Sequence, residues 1–150
     1  PLNLDQEKDT QPMLAINNLT LLSGRFLMGV YFILPGISKI VDFEGTSGYM
    51  ANHGVPLVSL LLVITIILQL ALGLFMIVGF QTKLTAFLLA GMVLVISIFM
   101  HNFWSMEDGI NKTHETQNFF KNMGIMAGLL MISSLGGGQL SIDSRNASQS

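Results

Sequence analysis

Cysteine is absent from the 150 residues. That excludes disulfides, thiolate nucleophiles, cysteine-ligated zinc and iron–sulfur ligation by this chain. Charge is scarce as well: Asp, Glu, Lys and Arg make up 11% of the residues, where a soluble domain carries about a quarter. The seven Lys and Arg residues are scattered and the net charge is −2. No basic patch able to grip phosphates is present, so nucleic acid is not an expected partner. Residues 1–13 are polar and acidic, with Asp5, Glu7 and Asp9 around Lys8. They lack the basic start and apolar run of a signal peptide, so the first hydrophobic helix is expected to be retained as the insertion signal. A start at Pro1 matches removal of an initiator Met and equally a truncated chain.

What remains is apolar. Hydrophobic residues make up 51% of the chain and the mean hydropathy is +0.60. This leaves too little polar surface to cover a core in water, and lipid must act as the solvent. Four hydrophobic runs stand out, at about 21–41, 57–80, 84–104 and 119–135. At 1.5 Å per residue each is roughly 25–36 Å long, enough for a hydrocarbon core of about 30 Å. Unpaired backbone groups are not tolerated in lipid, so the runs are read as helices. The fold expected is an all-α, integral membrane four-helix bundle over residues 21–135, between a polar N-terminal tail (1–20) and a flexible C-terminal tail (136–150).

Four spans put both termini on one side, with the loops at 42–56 and 105–118 on the other. Lys8, Arg25, Lys83 and Arg145 lie on the terminal side, against Lys39, Lys112 and Lys121 on the long-loop side. By the positive-inside rule this favours cytoplasmic termini.

Polar residues inside the runs are the candidates for function. Arg25, Gly29, Phe32, Gly36 and Lys39 share one face of the first helix. Arg25 and Lys39 are read either as interfacial anchors that snorkel or as the charged rims of a polar cavity. Pro35 removes one backbone hydrogen bond and is expected to kink this helix. Thr65, Gln69, Gly73 and Met76 share a face of the second helix, where Gln69 is read as a bond between helices or a contact to a ligand head. The third helix ends in His101-Asn102-Phe103-Trp104. Its aromatics fit an interfacial belt, but a belt needs neither His101 nor Asn102. Ala90, Leu94, Ser97 and His101 share a face, which points the imidazole into the bundle. The ligand-cavity candidates are therefore Arg25, Lys39, Gln69, His101 and Asn102. Gly29, Gly36, Gly124 and Gly128 are read as close-packing positions, the last two as a Gly-x-x-x-Gly pair. His53, His101 and His114 lack the spacing of a zinc site, and solvated loop charges are the better reading of the acids near them, so no metal is expected. Only His101 lies on a span, which argues against a bis-histidine haem.

Several segments together resemble the DoxX family of small bacterial membrane proteins. They are Arg25 with Phe32 to Lys39; Gly45 through Gly54-Val55-Pro56; Gln69 with Gly73 and Gly79; His101 to Trp104; Gln117 with Phe120-Lys121-Asn122; Gly128-Leu129-Leu130; and Gly136 to Gly138 with Ser141 and Asp143. The resemblance implies a four-helix fold in the bacterial inner membrane and a link to oxidoreduction, through quinone-reducing and oxidant-defence relatives. Relatives often carry an acid in the second helix, where this chain has Gln69, and a proton relay there is weakened. Three functions are then open: an accessory or assembly subunit of a membrane complex, a quinone-interacting oxidoreductase subunit, or a small-molecule carrier. No cofactor is expected within the chain beyond a possible quinone ligand. The expected partners are membrane lipids and either other membrane subunits or further copies of the chain. Any head group is expected near His101, Asn102 and Lys39, with Arg25 at the opposite depth.

The topology is directly testable in this Cys-free chain. Single cysteines at Ser47 and Thr113 should react with an impermeant thiol reagent in intact cells. Reaction only after lysis would reverse the orientation.

Overall fold

A computed structural model of the chain describes residues 4–148. Six α-helices follow one another: α1 (Leu4–Val41), α2 (Phe43–Asn52), α3 (Val58–Val78), α4 (Thr82–Met100), α5 (Ile110–Leu135) and α6 (Ile142–Ala147). A 3-10 turn at Phe103–Ser105 separates α4 from α5, and no strand occurs among the described residues. Three helical stretches are long and apolar enough to cross a membrane: Met13–Val41, Val58–Val78 and Thr82–Ser105. The fourth expected span lies on α5, which does not meet that standard. Its first turns carry Lys112, His114 and Glu115, and Lys121 and Asn122 interrupt the apolar remainder.

The expected tails are corrected where they are described. Residues 1–3 lie outside the described residues, but from Leu4 the chain is already helical. Met13, Leu14, Ile16 and Leu19 extend the apolar run past Asn17, Asn18 and Thr20. The Thr20 hydroxyl donates to the Ile16 carbonyl at 2.8 Å and Asn18 donates to Gln139 at 2.8 Å, so these polar groups do not break the helix. With 38 residues, α1 is roughly 57 Å long and outruns a bilayer core of about 30 Å. It also continues as one helix through Pro35. At the other end, residues 149–150 lie outside the described residues, while 136–148 fold back against the bundle instead of forming a free tail. The loop expected at 42–56 contains α2, whose first turn is capped by Asp42 accepting from the Gly45 amide at 3.1 Å.

The four long helices form two antiparallel pairs. In one, α1 lies along α3, with Gly29 against Gly73 and Gly36 against Gln69 and Leu70. In the other, α5 runs back along α4. Ser133 donates to the Lys83 carbonyl at 2.9 Å near one end, and Asn122 donates to the Ser97 hydroxyl at 3.0 Å in the middle. The pairs meet in one core built from Phe32 of α1, Leu72 and Met76 of α3, Ala86, Leu89, Ala90 and Val93 of α4, and Leu129 and Ile132 of α5. Outward residues such as Leu27, Leu34, Ile67, Leu74, Phe87 and Val95 are exposed, as expected where lipid is the solvent. A smaller core of Met50, Leu62 and Ile66 fixes α2 over the end of α3.

The glycines do not act alike. A Cβ at Gly29 would lie 2.6 Å from the Gly73 carbonyl oxygen, and one at Gly73 would lie 3.0 Å from the Gly29 carbonyl oxygen. Only glycine permits this backbone approach. Gly128 faces the flexible tip of Met28 at 3.3 Å, and Gly124 faces open space. Gly124 therefore packs against nothing among the described residues and is left open to a neighbouring subunit. Gly29→Leu should cost about 1–3 kcal/mol or more through overpacking, whereas Gly124→Leu should be nearly neutral. Thermal unfolding in detergent checks both, and equal losses would contradict the glycine crossing.

Candidate functional site

The α3–α4 turn defines one end of the molecule. Gly79 at φ 70° and Gln81 at φ 46° both take left-handed backbone, costly for Gln81 by about 1–2 kcal/mol. Asp143 holds this turn in place. Its two carboxylate oxygens accept from the Gln81 amide at 2.7 Å and the Thr82 amide at 2.8 Å, and its own amide donates to the Gly79 carbonyl at 3.0 Å. A side chain from the far end of the sequence thus caps α4. Burial raises the Asp143 pKa, but the Thr82 and Gln81 hydrogen bonds and the Arg25 charge outweigh it and hold the carboxyl below its ordinary value.

Arg25 is fully buried at this end. Its guanidinium donates to the Leu140 carbonyl and is attracted by Asp143. Nε and Nη1 have no hydrogen-bond partner. A Cβ at Gly79 would collide with the guanidinium. Arg25 therefore belongs to a polar lock between α1, the α3–α4 turn and the C-terminal segment, not to a ligand cavity shared with His101. A recess of about 520 Å³ beside the lock runs along Gln81–Leu84 and Gly136–Gly138, but the Asp143 carboxylate that borders it is already committed to the α4 cap.

The opposite end holds the cavity. It measures about 360 Å³ and lies between α1, α2, α3, α4 and α5, within the usual range for small-molecule sites. Tyr31, Lys39, Gln69, His101, Lys121 and Asn122 supply its polar lining, and Phe32, Met50, Val93, Ile96 and Met100 supply apolar wall. Gln69 is 4% exposed and its Oε1 is buried with no hydrogen-bond partner. An unpaired buried polar atom costs about 1–3 kcal/mol, so this amide is unsatisfied in the chain by itself. Lys39 donates to the Pro35 carbonyl at 3.4 Å, one turn back towards the helix middle. That is the reverse of outward snorkelling.

The His101 Nδ1 lies 2.6 Å from Glu115 Oε2, and both side chains are about four-fifths buried. An ionised carboxylate only accepts, so Nδ1 carries the proton. Above this pair, burial and the Glu115 charge push the Tyr49 phenol above its ordinary pKa and keep it a neutral donor. Deeper in, Tyr31 donates to Asn122 at 3.5 Å, Asn122 to Ser97 at 3.0 Å, and Ser97 to the Val93 carbonyl at 2.7 Å. This chain of bonds ties α1, α5 and α4 across the floor.

Three candidates, Lys39, Gln69 and His101, thus come together, while Arg25 and Asn102 do not. Asn102 follows the end of α4 at Met100, and its carbonyl accepts from Ser105 in the 3-10 turn. It does not line the cavity. Glu115, Tyr31 and Asn122 were missed as site residues. The signal for two of them was available: Glu115, Asn122 and Leu129 recur at seven-residue spacing, one face of a helix. That face is visible only when α5 is extended back to Ile110. His53 bonds its own α2 carbonyl at Tyr49 at 2.8 Å. Among the described residues, no group of three or more His, Asp or Glu is placed to hold a metal ion.

An all-α membrane bundle, locked at one end and hollow at the other, is the class of protein these features define. The chain belongs to the DoxX family, whose model matches residues 20–102, α1 through the end of α4. It is 34% identical over 131 residues to inner membrane protein YqjF of Escherichia coli, covering 87% of this chain and 95% of that protein. It is 30% identical over 132 residues to inner membrane protein YphA of the same organism, covering 87% and 93%. A Surfeit locus protein 4 homolog of Drosophila melanogaster is 28% identical over 128 residues, 84% of this chain and 40% of that protein. No solved structure matches the chain.

The lock makes a pH prediction. A depressed folded-state pKa contributes stability that is present above the ordinary value of 3.8 and lost as pH falls below it through the folded value. Asp143→Asn should lower stability by about 1–2 kcal/mol at neutral pH through loss of the charged cap. Thermal unfolding between pH 3 and 7 should show an acid loss in the parent that is reduced in the variant. Parallel curves would contradict this role.

Proposed function

We propose that this chain is an inner-membrane subunit that holds the head of a quinone or lipid-like amphiphile in the cavity at the long-loop end. The single observation that carries the reading is Gln69, an amide buried beside a 360 Å³ cavity with its oxygen unpartnered. Unlike the unpaired atoms of the Arg25 lock, this oxygen borders the cavity, where a ligand head with a donor group, a quinol or lipid hydroxyl, would satisfy it. The relatives' names, inner membrane protein YqjF and YphA, support the location. The antiparallel run of α5 along α4 supports a fourth crossing, which would bring both termini to the cytoplasmic side with Arg25 and the α3–α4 turn. In this reading the chain is an accessory component: it binds and positions the ligand, and a partner in the membrane or a further copy of the chain supplies or uses it.

Gln69→Leu separates binding from structure. Replacing an unpaired polar group by an apolar one of similar shape is neutral or stabilising for folding. The variant should therefore keep or raise its melting temperature while losing the quinones or lipids that co-purify with the parent after gentle extraction, as read by mass spectrometry. A destabilised variant that retains those molecules would assign Gln69 to the helix interface instead.

A further inference from the structure

We infer that the ligand is an anionic amphiphile, with a carboxylate or phosphate received by Lys39 and Lys121 and a hydroxyl beside the charge donating to Gln69 Oε1. The inference rests on the cavity reading above and specifies the chemistry of its head.

Charge balance carries the argument. The cavity lining contains two lysines and one histidine but no carboxylate. The histidine is hydrogen-bonded at 2.6 Å to Glu115, whose carboxylate is turned to that ring and lies outside the lining. The lysines have none: among the described residues the only ion pairs are His101–Glu115 and Lys112–Asp108. Asp42 and Glu44, the nearest acids in the chain after Lys39, are exposed and absent from the lining. Lys39 meets only a carbonyl at 3.4 Å, and Lys121 only the Asn118 side chain at 3.1 Å.

A partly buried ammonium beside an apolar wall without a counter-charge is costly, and Lys39 is turned inward where it could have reached out, while Lys121 is exposed at the cavity mouth. An anion entering the cavity would neutralise that charge and form charge-assisted hydrogen bonds. Gln69 adds the second requirement. Its buried oxygen can only accept, so the ligand must bring a donor, which neither a plain carboxylate nor a benzoquinone ring has. The apolar wall of Phe32, Val93, Ile96 and Met100 adds the third, an acyl or similar tail.

The test uses the full chain in a non-ionic detergent, with thermal stabilisation as the readout. Four probes separate the requirements: 1-oleoyl-lysophosphatidate (phosphate and hydroxyl), oleate (charge alone), monoolein (hydroxyls alone) and inorganic phosphate (no tail). Lysophosphatidate should stabilise most. Lys39→Gln with Lys121→Gln should weaken it by about tenfold or more, the scale of one charge-assisted bond, and leave monoolein unaffected. Lys39→Arg with Lys121→Arg should restore binding, which guards against misfolding of the glutamine variant. Gln69→Leu should erase the preference for lysophosphatidate over oleate.

Equal binding of lysophosphatidate and monoolein, unchanged by the lysine variants, would overturn the anionic head while the amphiphile reading stands. Stabilisation by inorganic phosphate equal to that by lysophosphatidate would mean a free anion and overturn the lipid-like ligand. No stabilisation by any probe, nor by a short-chain quinol, would overturn both.

Discussion

A polar atom withdrawn from water inside a bilayer must find its partner within the protein, and the two ends of this molecule answer that constraint differently. At one end charged and backbone groups close on one another, although Arg25 Nε and Nη1 and the Thr82 hydroxyl keep no partner. The Arg25 guanidinium takes the Leu140 carbonyl, Asp143 takes two amides at the start of α4, and Gly79 leaves room for the arginine. At the other end the accounting stays open. The Gln69 oxygen is buried without a partner and two lysines have no carboxylate. Tying one end together through Arg25 and Asp143 and leaving the other with an unpaired amide and two uncompensated lysines gives the bundle a direction that its near-uniform hydrophobic sequence does not advertise.

The glycine crossing of α1 and α3 makes this asymmetry possible. Where Gly29 meets Gly73 the backbones touch, and nothing can sit between the helices. One and two turns further along α1, the larger Phe32 and Pro35 form cavity wall, and α2 is fixed over the end of α3 through Met50, Leu62 and Ile66. The Tyr31–Asn122–Ser97 bonds then fix α5 and α4 at the cavity floor. The site lies where α1, α2, α3, α4 and α5 all contribute wall.

The all-α membrane fold was legible because lipid imposes two demands that a sequence displays openly: length and freedom from charge. The runs read at 57–80 and 84–104 fall close to α3 and α4. The inward placement of Gln69 followed from a stripe with Gly73 and Met76, since a single amide among leucines has few alternatives. What escaped depended on contacts between residues far apart in sequence. Nothing local to Asp143 shows that it will cap a helix starting at Thr82, and nothing near Arg25 shows that Leu140 will meet it. Glu115 was hidden by the assumption that charge marks a loop, whereas α5 begins at Ile110 and carries that charge onto a buried face. Gly124 marks the opposite limit, since nothing among the described residues meets it. A Gly-x-x-x-Gly spacing states that a close approach is permitted, not that a neighbour is there.

The cap on α4 also sets an order of events during biosynthesis. The residue that satisfies the Thr82 amide lies 61 positions further along the chain, so the α3–α4 hairpin must enter the membrane before its own cap has been made. Until then, its left-handed turn can be hydrated only from the aqueous side, and Arg25 has no carbonyl to meet. A nascent chain released before Leu140 would contain every hydrophobic helix and still lack the groups that join α1 to the hairpin. Such a product would insert and yet remain loose, open to the proteases that survey unfinished membrane proteins. The carbonyl of Leu140 and the carboxylate of Asp143 therefore join α1 to a hairpin synthesised well before them.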